Sequence, residues 1–206
     1  MTELEFKKAI RYLKKADPVL GSVISQVELD LRKPHSNYFQ ALVESIISQQ
    51  LSIKAADTIE ARFKALFKTK PFPKPKEVLK MSDVKMRSVG LSGAKTKYIK
   101  DLATRVESGD LHFRGIGTKS EEEIIEMLVE VKGIGRWTAE MFLMFAVVRP
   151  DVFSHGDLGL RNAIIKLYKV RGELTQKKAE KIVQKWSPYK TLACRYLWAS
   201  LELKSS

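Results

Sequence analysis

Apolar residues recur at helical spacing along nearly the whole chain, and period-two alternation never persists beyond a few residues. A chain patterned this way folds as packed helices, because a 3.6-residue repeat cannot line one face of a strand. Leu4, Ile10 and Leu13 begin an amphipathic helix that Asp17-Pro18 punctuates. Residues 38–48 (YFQALVESIIS) read as a buried helix and 53–67 as a helix with apolar spacings of three and four. A Pro/Lys-rich loop follows at 68–76, then a helix at 94–106. Ser120 and Glu123 form a capping box that opens a helix running to about Glu130. Residues 132–135 interrupt it, residues 136–148 resume it, and Pro150 ends it. Residues 157–170, 175–186 and 189–201 read as three more helices. The expected fold class is all-α.

The 206 residues suffice for two small lobes with a hydrophobic core. Lys and Arg number 37 against 24 Asp and Glu, a net charge of +13 that favours a polyanionic partner. Nucleic acid fits, although membranes and ribosomes also select basic chains. The single cysteine, Cys194, excludes an internal disulfide, a thiolate zinc site and an iron–sulfur cluster. It reads as a small core residue in a reducing compartment. The charged N-terminus lacks an apolar signal core and no run of 18 apolar residues occurs, so neither export nor membrane association is expected. His35 and His112 have no spacing that suggests a metal site.

Residues 131–139 (VKGIGRWTA) are the most informative local feature. Two helices joined by a turn with glycine at both ends make a hairpin, since glycine admits positive φ and close backbone approach. The turn opens the second helix, so amides near Gly133, Gly135 and Arg136 point outward at the positive end of a helix dipole, which suits a phosphate. An ordinary helix–helix turn carries the same glycines. Gly115-Ile116-Gly117 also precedes a helix, but there Thr118, Lys119 and the capping Ser120 intervene.

With this hairpin and the segment after it, the chain resembles the helix-hairpin-helix (HhH-GPD) DNA glycosylase superfamily, and within it the 3-methyladenine DNA glycosylase II branch. Residues 45–52 (SIISQQLS), 128–142 (LVEVKGIGRWTAEMF) and 151–161 (DVFSHGDLGLR) carry the resemblance, which extends from about Asp17 to Leu201. It implies two all-helical lobes with an active-site cleft between them. Residues 36–149 would form a helical barrel lobe holding the helix-hairpin-helix at about 124–147. Residues 1–35 with 150–206 would form the second lobe. The implied activity is base-excision repair: an alkylated purine of the 3-methyladenine or 7-methylguanine type is flipped from double-stranded DNA and released by hydrolysis. A monomer with no required cofactor is expected, cytoplasmic and nucleoid-associated in a bacterium or archaeon and nuclear in a eukaryote.

The resemblance also assigns roles. Asp157, after Gly156 and before a helix, is by itself an N-cap residue. Under the resemblance it is the catalytic carboxylate, which stabilises positive charge on the sugar and can orient or deprotonate water. Trp137 stands where relatives that also cut the backbone carry a Schiff-base lysine, which implies a monofunctional enzyme without AP-lyase activity. Trp137 and Trp198 match base-pocket positions where aromatic faces attract a cationic base, though either also suits a core. Met141 stands where a relative has an aromatic, and His155 could touch the substrate or the water. Gln50 matches the plug that fills the gap left by the flipped nucleotide, with Gln49 bracing the turn. Lys132, Gly133, Gly135 and Thr138 are expected at the DNA phosphate. Carbonyls of Val129, Val131 and Ile134 could hold Na⁺ or K⁺ beside it. Three other readings stay open: a non-catalytic helix-hairpin-helix DNA-binding protein, a glycosylase for a different lesion, and, on charge alone, an RNA- or ribosome-associated protein.

Overall fold

The computed structural model describes residues 2–203, so residue 1 and residues 204–206 of the expected second lobe lie outside them. Twelve α-helices and no strand occur among the described residues. In chain order they are α1 (Glu3–Ala16), α2 (Pro18–Ile24), α3 (Tyr38–Ser48), α4 (Ile53–Ala65), α5 (Pro75–Lys80), α6 (Asp83–Ser88), α7 (Gly93–Ser108), α8 (Glu121–Val129), α9 (Arg136–Phe142), α10 (Leu158–Leu167), α11 (Gln176–Val183) and α12 (Lys190–Ser200). The chain packs as two units, one of residues 35–142 and one that joins the residues up to Pro34 to those from Leu143 onward. The crossings fall at Pro34/His35 and Phe142/Leu143, where the resemblance implies 35/36 and 149/150.

In the middle unit α3 is the central element. It buries Phe39, Leu42, Val43, Ile46 and Ile47, and packs against α4, α7 and α9. Phe39, Phe63, Phe67 and Phe72 form a chain of ring contacts with centroids 5.2–6.2 Å apart. The Pro/Lys-rich loop is shorter than expected: Pro75, preset for the first helical turn, starts α5.

In the unit built from the chain's two ends, α1 presents Phe6, Ala9 and Leu13 to the core. Leu4, which the apolar spacing included, is exposed. Asp17 does more than punctuate. Its Oδ1 accepts the amides of Val19 and Leu20 and so caps α2. Its Oδ2 accepts the Tyr168 hydroxyl at 2.7 Å and the indole N–H of buried Trp186 at 3.0 Å. Burial and the neighbouring Asp17 push the Tyr168 phenol pKa up. Four donors thus satisfy a fully buried carboxylate, the condition under which burying one is tolerable.

The helix after the hairpin does not run regularly to Val148. It is α-helical to Phe142, then a π-turn over Leu143–Val147. Val148 adopts φ 61, and the Arg149 amide donates to the Leu143 carbonyl at 2.9 Å. Pro150 disfavours helical angles at Arg149 and has no amide to donate, so the helix is not resumed beyond the π-turn.

Candidate active site

Asp157 lies in the unit formed by the chain's ends. It is 7% exposed and immediately precedes α10. Its Oδ1 accepts the Leu160 amide at 2.7 Å, so it is the N-cap its position suggests. The same oxygen accepts the Trp198 indole N–H at 2.9 Å. An aspartate serving only as a cap needs the first bond; the second ties the carboxylate to α12. Gly159 makes room for it. A Cβ at Gly159 would lie 3.1 Å from Trp198 Cδ1 and Nε1, and 3.2 Å from Asp157 Oδ1.

Trp198 is half-buried, and its ring centroid lies 5.7 Å from that of Phe145 on the π-turn. The Arg32 guanidinium sits 5.8 Å from the Phe145 centroid. His155 faces Glu180, with Nε2 3.2 Å from its carboxylate, and its ring packs edge-on against Phe153. Cys194 is fully buried. Burial pushes its thiol pKa well up, and the charge of Asp157 adds to this, which keeps it a protonated small core residue.

The hairpin and the glutamine turn lie in the middle unit. Gly133 has φ +82, and a Cβ there would overlap the Tyr98 ring at 2.1 Å. Both conformation and packing therefore require glycine. Gly135 differs: its φ is not in the left-handed region and nothing lies within 4 Å of a Cβ built on it. The other Gly-Ile-Gly closes on itself, with the Thr118 amide and hydroxyl both donating to the Gly115 carbonyl. The Gly133 carbonyl instead accepts the Gln49 side-chain amide at 2.9 Å.

Gln50 is exposed and holds φ 55, an uncommon conformation for a residue other than glycine. The Lys132 amide donates to Asp101 at 3.0 Å, while its exposed ammonium lies 3.7 Å from the same carboxylate. Arg136 makes a two-pronged bond to Glu122 at 2.8 and 2.7 Å and approaches Glu140 at 3.2 Å. Trp137 is 48% exposed, which argues against a purely core role. Met141, half-buried, follows it by one helical turn on the same face. Thr138 is buried in the first turn of α9, where a helix's opening amides have no intrahelical partner. The Val131 carbonyl accepts the Ile134 amide at 3.0 Å.

Several residues of these sites carry no sequence signal. Gly159 and Phe145 act through contacts on elements remote in the chain. Lys95, Tyr98 and Asp101 follow a three-residue spacing on α7, but nothing in that spacing says what they touch.

A family model described as HhH-GPD superfamily base excision DNA repair protein matches residues 43–188. DNA-3-methyladenine glycosylase 1 of Schizosaccharomyces pombe is 36% identical over 166 residues, covering 80% of this chain and 73% of that protein. A structure of a 3-methyladenine DNA glycosylase from the same yeast, in complex with abasic DNA, superposes with a TM-score of 0.85. Its identity is 32%, over 97% of this chain and all of that one. A DNA-3-methyladenine glycosidase from Bacillus halodurans gives a TM-score of 0.81 at 38% identity, covering 94% and 89% of the two chains.

Proposed function

Because the chain belongs to the HhH-GPD superfamily of base excision DNA repair proteins, we propose that it is a monofunctional glycosylase for alkylated purines of the 3-methyladenine or 7-methylguanine type, with Asp157 as its catalytic carboxylate. The observation that carries this reading is the pair of donors on Asp157 Oδ1, one from the α10 backbone and one from the Trp198 indole. They orient a buried carboxylate beside an aromatic ring before any substrate arrives, and catalysis by preorganised charge requires such orientation.

In the reaction the C1′–N bond breaks and the base leaves with the bonding electrons. Positive charge builds on the deoxyribose, Asp157 stabilises it, and water adds to C1′ while losing a proton to the carboxylate or to solvent. A base already cationic by methylation departs neutral and needs little protonation. Trp198 offers it an electron-rich face in the same unit as Asp157, where His155 is a further candidate; Trp137 and Met141 are the candidates in the middle unit. Trp137 in place of lysine removes the amine that a Schiff-base lyase needs.

Gln50 fills the gap in the duplex, and Gly133, Gly135, Lys132 and the Thr138 backbone serve the phosphate. The open space around Gly135 suits a ligand that approaches the backbone closely. Backbone carbonyls of Val129, Val131 and Ile134 are neutral oxygen donors of the kind an alkali ion takes, and the one bond on Val131 leaves a lone pair on that oxygen. They would hold Na⁺ or K⁺ beside the phosphate, where the ion would add positive charge. The partner is damaged double-stranded DNA, bound by a monomer.

The test is release of 7-methylguanine from methylated duplex. Asp157→Asn should bind DNA as the parent does and lose at least about 10³-fold in release, the scale of an electrostatic catalytic group. Near-normal release by Asp157→Asn, or a borohydride-trapped protein–DNA adduct with the parent, would overturn the mechanism. No release by the parent would favour a non-catalytic binder or another lesion.

A further inference from the structure

The end of α3 is held in an unusual way. A helix leaves its last carbonyls without intrahelical partners, and the common remedy is a glycine just beyond the end. Here Gln49 and Gln50 occupy those positions, and a lysine from another helix does the work. Lys95 Nζ, in the first turn of α7, donates to the Ile47 carbonyl at 2.8 Å and to the Gln49 carbonyl at 2.7 Å. A cation suits the negative end of a helix dipole. Burial lowers the Lys95 pKa, so holding the ammonium here has a desolvation cost that a glycine cap would avoid.

That cost secures a connection. Lys95, Tyr98 and Asp101 follow one another at three-residue intervals, which places them along one stripe of α7. Lys95 grips the turn that carries Gln50. The Tyr98 ring occupies the space where a side chain on Gly133 would be. Asp101 accepts the Lys132 amide at 3.0 Å. Gln49 closes the circuit by donating to the Gly133 carbonyl. One helix face thus holds two turns that are 84 residues apart in the chain, and every contact lies within residues 35–142.

We propose that Lys95 is a positioning residue for strand insertion: with Tyr98 and Asp101 it sets the Gln50 turn at a fixed offset from the hairpin turn, so that Gln50 enters the duplex where the gripped phosphate requires it. This rests on the glycosylase reading, in which Gln50 fills the gap left by the flipped nucleotide. Without the ammonium, the Gln49 carbonyl loses its anchor and the left-handed Gln50 relaxes toward ordinary angles. Bound DNA would then meet a mobile plug.

The test uses the full chain and two duplexes, one undamaged and one with a tetrahydrofuran abasic site beside 2-aminopurine, whose fluorescence reports local unstacking. Lys95→Met should lower the selectivity for the abasic duplex over the undamaged one by about tenfold, a part of the unstacking energy that the plug offsets, and reduce the fluorescence gain. Lys95→Arg, which keeps a charged double donor, should recover most of it. In the Gln50→Ala background Lys95→Met should change selectivity by less than about twofold, because residues that act through one turn are not additive. A merely structural lysine would cost the same in both backgrounds, and that result overturns the proposal. If Lys95→Met does not fold, Lys95→Gln takes its place with the same expected order. A parent that prefers the abasic duplex while these variants match it defeats the Lys95 inference alone. A parent with no preference, and no release of methylated base, defeats the glycosylase reading beneath it.

Discussion

Asp157, Trp198 and Gly159 form a unit in which each residue constrains the other two. The carboxylate takes its orientation from the indole, and the indole reaches it because residue 159 has no side chain. A methyl group there needs a shift of a few tenths of an ångström from the ring or from the carboxylate. We expect Gly159→Ala to cost about 1 kcal/mol of stability, the low end of overpacking. It should slow base release by about 10- to 100-fold, since catalysis is far more sensitive to displacement than folding is. Single-turnover release beside a denaturant melt separates the two effects; a loss of stability with unchanged release would remove Gly159 from the site. At this scale the sequence was partly legible. An aspartate between glycine and an amphipathic run marks a cap without further help. The bond from Trp198 spans 41 positions and leaves no local trace. Leu4 misled because apolar identity alone does not choose among the faces of a short helix, and Phe6, Ala9 and Leu13 bury the better stripe.

Among the elements, those with two or more turns of regular spacing were readable, and α3, α7 and α8 appear close to where periodicity places them. The six- and seven-residue helices α2, α5 and α6 were not, because so few residues cannot display a 3.6-residue period. The π-turn was likewise invisible, because its apolar residues fit an ordinary α-helix equally well. The start of α8 was legible through its capping box and carries a consequence for acid stability. Hydrogen bonds from Ser120 hold the Glu123 pKa below the ordinary carboxylate value, and pairing with Arg136 does the same for Glu122. A depressed folded pKa means that the stabilisation is full above the unfolded value and is lost as pH falls through the folded one. Glu123→Ala should therefore melt below the parent at neutral pH, with the gap closing on acidification below about pH 4, the ordinary Glu range. A gap independent of pH would show that the ionised carboxylate contributes nothing.

For the whole molecule, net charge was the most accessible property, and it speaks to association more than to architecture. A surplus of 13 positive charges predicts binding to undamaged duplex that is strongly salt-dependent. We expect the logarithm of the association constant to fall against the logarithm of salt concentration with a slope of about −4.5, the response of roughly five neutralised phosphates. A slope shallower than about −1 would assign the surplus to some other role. The pairing of remote segments was not legible from composition or periodicity, because the unit that joins the chain's ends depends on contacts such as those of Asp17 with Tyr168 and Trp186. The left-handed Gln50 bears on how such a protein changes over time. At that angle glycine would relieve a conformational penalty of about 1 kcal/mol, and asparagine part of it. Selection for thermal robustness alone would pull the position toward those shorter residues. If Gln50 fills the gap in the duplex as proposed, replacing it by glycine should raise the melting temperature and weaken the grip on damaged DNA, so stabilisation guided by melting temperature alone would do harm there.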